Sequence, residues 1–109
     1  MARSRVVSAV AVLVFALAPA ARADDDPAGA KALFDQALEL GQAGNFPEAC
    51  QKLEQSLSLH DGLGTQFHLA GCWQKIGRTA SAYSLFEKVV ARAHEAGQTE
   101  REELARSRL

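Results

Sequence analysis

The chain has 109 residues, with 12 Lys and Arg against 13 Asp and Glu, and two cysteines. A near-neutral balance without a basic cluster excludes a nucleic-acid binder, whose affinity rests on Lys and Arg neutralising phosphates. This length builds one small domain, at the size where a hydrophobic core often recruits a disulfide or a partner.

Met1 to Arg5 carries two arginines and no acid, Val6 to Ala18 is apolar apart from Ser8, and Ala21-Arg22-Ala23 offers an A-x-A cleavage position behind Pro19. That order of features predicts a secretory signal peptide over residues 1–23. The apolar run is shorter than the roughly 20 residues a membrane span needs. The mature chain is therefore expected to be periplasmic or secreted, without stable membrane insertion; the alternative is a retained N-terminal anchor helix. Cleavage after Ala23 removes three arginines and no acid, leaving 86 residues with a net charge of −4.

Asp24-Asp25-Asp26 reads as a frayed acidic tail over 24–27, ending in an N-cap with Pro27 at the first helical position. Helix one runs to about Ala43, and Gly44 suits a left-handed C-terminal cap. Asn45-Phe46-Pro47-Glu48 reads as a capping box opening helix two, which ends near Leu59. His60 to Gly64 is a turn, with His60 placed to satisfy terminal carbonyls. Thr65 is expected to cap helix three, and Gly77 to end it. Helix four spans about Thr79 to Ala96, Gly97 closes it, and Thr99-x-x-Glu102 reads as a capping box for a final helix over 99–109. Apolar residues recur at three and four throughout, so the fold class is all-α.

A shift of 33 residues superposes Phe34 on Phe67, Ala37 on Ala70, Gly44 on Gly77, Ala49 on Ala82 and Glu54 on Glu87, with Leu40 on Trp73 and Leu53 on Phe86. Such a period belongs to stacked helical hairpins, which bury their apolar faces only against a neighbour. The repeats span about 30–62 and 63–96.

These residues resemble the tetratricopeptide repeat family. Its pattern asks for small residues where the two helices of a hairpin touch, matched by Ala37 with Ala49 and Ala70 with Ala82. Large residues surround them: Leu33, Leu40 and Leu53, then Leu69, Trp73 and Phe86. The chain departs from the family in having alanine for glycine at 37 and 70, serine for alanine at 56, and no closing proline. The stretch Gly64 to Cys72 is similar to exported bacterial proteins of this type. The resemblance implies a short right-handed stack of two hairpins, with residues 99–109 as a capping helix or a partial third repeat.

It also implies a concave groove lined by the first helix of each hairpin. The family's groove positions fall on Lys31, Phe34, Leu38 and Gln42, and on Phe67, Gln74 and Lys75. A partner helix or extended segment is expected there, with the lysines steering an acidic peptide; alternatively Phe34 and Phe67 are simply core. The function expected is a protein-interaction module for a peptide, a protein or a second copy of itself. The alternative is a structural N-terminal spacer, or a fragment, of a longer exported protein.

Cys50 lies eleven residues before Asp61 and Cys72 eleven after it, which sets them at one height in a helix pair turning near Asp61. Ala49, Ala70 and Gly71 are small enough to admit the close approach a disulfide needs. An exported chain with two cysteines favours that bond; buried thiols and metal or redox chemistry stay open as alternatives. His68 and Cys72 share a helical face but lack the further ligands of a metal site or a third member for catalysis. His94 is expected in solvent. No enzyme, metal or cofactor is expected.

Overall fold

The computed structural model describes residues 11–12 and 25–109; apart from 11–12, the expected signal peptide lies outside the described residues. Five helices follow in order: α1 Pro27–Gln42, α2 Phe46–Leu59, α3 Leu63–Lys75, α4 Thr79–Glu95 and α5 Thr99–Arg106. There is no strand among the described residues, and no described helix is long and apolar enough to cross a membrane.

Each helix packs on its neighbour in the chain, because every connection is only three residues long. Three of the four connections are the same turn. Gly44, Gly77 and Gly97 take φ of +78°, +81° and +68°, a region costly for any residue with a Cβ. In each turn the following residue's N–H reaches back five positions, from Asn45 to Leu40 O, Arg78 to Trp73 O and Gln98 to Ala93 O, all at 2.8 Å. These bonds satisfy carbonyls that the helix end would leave orphaned. The α2–α3 connection differs: His60 is extended and no residue there has positive φ.

The 33-residue repeat is structural. Ala37 and Ala70, Ala49 and Ala82, and Leu53 and Phe86 are buried in pairs, so that small residues let the helices of each hairpin approach while large ones fill the space beside them. Ala105 on α5 is fully buried as well. The two hairpins are joined by a disulfide between Cys50 on α2 and Cys72 on α3, with Cα atoms 5.7 Å apart. A second tie comes from Trp73, whose Nε1 donates to Glu54 at 3.1 Å while the Arg78 guanidinium lies 4.4 Å above its ring.

Several local expectations are corrected. Asp26 caps α1 as expected, accepting from the Gly29 N–H at 2.9 Å. Asp25 and Asp26 are not frayed, however: the Asp26 N–H donates to Leu59 O, and Asp25 pairs with His60 at 2.7 Å. His60 thus holds the start of α1 against the end of α2, and its ring serves that pair instead of the α2 carbonyls. Asn45 occupies the N-cap of α2, but its side chain donates to the Glu48 carboxylate, leaving no side-chain cap. Thr65 lies inside α3, whose N-cap is Gly62; packing of Leu63 against the core draws the helix start back past Gly64. Thr99 is the first residue of α5 and caps nothing, because the Glu102 carboxylate turns to His94 and Arg106 instead. The final helix ends at Arg106, before Leu109.

Candidate functional site

A groove of about 380 Å³ opens along α1, α3 and the start of α2. Ala37, Ala49, Leu53 and Phe86 form its apolar floor, and Leu38, Phe46 and Phe67 its walls. Leu38 stays 37% exposed, a surplus apolar side chain that the hairpin does not need to close. Gln42 and Lys75 also line this groove, together with Arg108 from the end of the chain.

Lys31 and Phe34 line a different cavity, of about 270 Å³, with His60, Thr65, His68 and Arg101. A row of rings runs between the two. Phe34 meets the edge of His68 at 5.1 Å, His68 meets Phe67 at 5.8 Å, and Phe67 meets Phe86 at 5.8 Å. Edge-to-face packing of this kind fixes ring orientation as well as burying area. Phe34 and Phe67 are half-buried: each packs on the core and presents a remaining surface to a groove, so neither is wholly core. Gln74 lines neither cavity; its side chain accepts a 3.2 Å hydrogen bond from Arg108.

The charges are distributed unevenly. No carboxylate lines either cavity. The Lys75 amine lies 5.8 Å from the centre of the Phe46 ring and the Arg108 guanidinium 6.0 Å from that of Phe86, and neither has an ion-pair partner among the described residues. Lys31, by contrast, is paired with Asp35 at 2.7 Å. Partial desolvation of a ring that keeps an exposed edge, and then the positive charge of Arg101, hold the His68 imidazole below its ordinary pKa.

The disulfide removes the thiol that a Cys72–His68 nucleophile and base would require. Cys72 Sγ instead packs 3.3 Å from the Phe46 carbonyl oxygen at the groove wall, a contact without a hydrogen bond since the bonded sulfur carries no proton. Phe46, Arg101 and Arg108 escaped the sequence reading of the site. Phe46 begins a second helix of a hairpin, and the two arginines sit beyond the two repeats, at and after α5.

Comparison with protein-family models, with curated proteins and with solved structures returns no match.

Proposed function

We propose that the protein is an exported interaction module of the tetratricopeptide type, binding a peptide or protein partner along the groove between Leu38 and Phe67. The observation that carries this reading is an apolar floor combined with two cations, Lys75 and Arg108, and no carboxylate. A partner offering apolar side chains beside an acidic residue complements both features. Export is supported by the signal-like order of residues 1–23 and by a disulfide, which persists in oxidising compartments.

Fluorescence anisotropy with labelled peptides that carry acidic residues beside apolar ones tests the reading. Lys75→Glu, Arg108→Glu and Phe67→Ala are each expected to weaken binding about tenfold. Lys88→Glu, on a different surface beside Trp73, should change nothing. Binding indifferent to both charge reversals would defeat the proposal.

A second reading, in which the partner is another copy of this chain, is favoured by one observation: Leu104 on α5 is 51% exposed beside a shallow cleft lined by Gln98, Thr99 and Arg101. Concentration-dependent association in light scattering, abolished by Leu104→Lys, would support it over the monomeric binder.

A further inference from the structure

The smaller cavity has an electrostatic arrangement that the peptide groove does not explain. It lies between α1, α3 and α5, and Lys31, His60, His68 and Arg101 line it without a carboxylate. Two of these groups are engaged elsewhere, Lys31 by Asp35 and His60 by Asp25. Arg101 is half-buried, bonds the neutral side chain of Gln98, and makes no ion pair among the described residues.

The Arg101 guanidinium rests against the first turn of α3, with Nη2 3.4 Å from the point a Cβ on Gly64 would occupy. A Cβ at 64 would lie in ordinary contact with it. That turn presents the positive end of a 13-residue helix, with no acidic residue in it and no side-chain cap. The nearby acids are committed: Asp61 accepts from Arg92 and Gln66, Asp26 caps α1, and Asp25 holds His60. A guanidinium, an imidazole and a helix N-terminus therefore border one hollow that no carboxylate lines. Such an arrangement is unfavourable when empty and favourable around an anion.

We propose that this cavity binds a tetrahedral oxyanion of the phosphate class, held by Arg101, His68 and the Thr65 hydroxyl. Donors arriving from both α3 and α5 suit a tetrahedral group better than a planar carboxylate. Bound there, the anion ties α5 to α3 and stabilises the imidazolium form of His68, reversing the effect of Arg101. This site adjoins the peptide groove, because His68 lines both, but Arg101 and Thr65 lie outside that groove.

The test uses the full oxidised chain. The His68 ring is titrated by NMR with and without inorganic sulfate, whose charge is constant between about pH 5 and pH 8, and inorganic phosphate is titrated calorimetrically at near-neutral pH. Sulfate is expected to raise the His68 midpoint. Phosphate affinity should fall about tenfold or more in Arg101→Gln. A His68 midpoint indifferent to sulfate overturns the proposal without recourse to any variant. Acetate binding as tightly as phosphate would likewise overturn it, in favour of a peptide carboxylate. Co-sedimentation with phosphatidic acid vesicles, displaced by phosphate, would make a lipid headgroup the source; phosphate binding without co-sedimentation would make it the free ion.

Discussion

The Ser56 hydroxyl donates a 2.7 Å hydrogen bond to the Ala30 carbonyl, joining the buried faces of α2 and α1. The family pattern would place alanine at this position, and the structure gives serine a reason: the hydroxyl finds an acceptor within the interface, so its burial is not penalised. Ser56→Ala is expected to cost about 1 kcal/mol, the usual worth of one such bond. Ser56→Val, which adds volume where Ser56 is only 1% exposed, should cost about 1–3 kcal/mol. Urea denaturation of both variants gives the comparison, and a valine variant as stable as the parent would mean that the α1–α2 interface is loosely packed.

Reducing the Cys50–Cys72 bond should remove about 3 kcal/mol of stability, since it closes a loop across 22 positions and restrains the unfolded chain. For a domain of this size that corresponds to a fall in Tm of more than about 10 °C. Thermal melts with and without a dithiol reductant measure it. The native protein should show no titratable thiol before or after unfolding.

The glycines with open space around them divide into two classes. Gly44, Gly77 and Gly97 have empty space where a Cβ would project but positive φ, so alanine at any of them should cost about 1–2 kcal/mol through backbone strain alone. Gly41 is equally unobstructed but lies within α1, where alanine should instead stabilise by about 0.5–1 kcal/mol. Opposite signs three residues apart are a sharp check on the turn geometry.

Acid should loosen the C-terminal end first. Partial desolvation pushes the Glu102 carboxyl up, but hydrogen bonds from Arg106 and His94, together with their charges, hold it below its ordinary value. A carboxyl depressed in the folded state contributes stability above its unfolded pKa and loses it as pH falls through the folded one. Amide protection in α5, referred to the intrinsic exchange rate at each pH, should therefore fall below about pH 4.5, and Glu102→Gln should flatten that response.

His68 acts at a higher pH. Its folded pKa is lowered, so the unfolded chain binds the proton more readily and stability declines as pH falls below the ordinary histidine value. His68→Phe should remove this dependence between about pH 6.5 and the folded midpoint, as read by denaturation midpoints at several pH values.

The helices and their ends were legible wherever a single residue type answers a local need. Glycine at 44, 77 and 97 marked the turns because the required φ penalises any Cβ, and the alanines at 37, 49, 70 and 82 marked helix contacts because close approach admits little else. Three capping assignments failed, for two different reasons. Asn45 and Glu102 found better partners in Glu48, His94 and Arg106, and burial of Leu63 shifted the start of α3 away from Thr65.

The sequence by itself determined an all-helical chain of hairpins, a 33-residue repeat, and the equal height of the two cysteines, all consequences of local backbone chemistry and periodic burial. The tertiary structure alone decided that Lys31 and Phe34 line one cavity while Leu38, Gln42, Phe67 and Lys75 line another, with Gln74 in neither. It also brought Arg101 to Gly64 and Arg108 to Gln74, contacts spanning more than thirty residues. Long flexible cations are placed by the surfaces that happen to surround their tips, and no periodicity in the chain encodes where those surfaces meet.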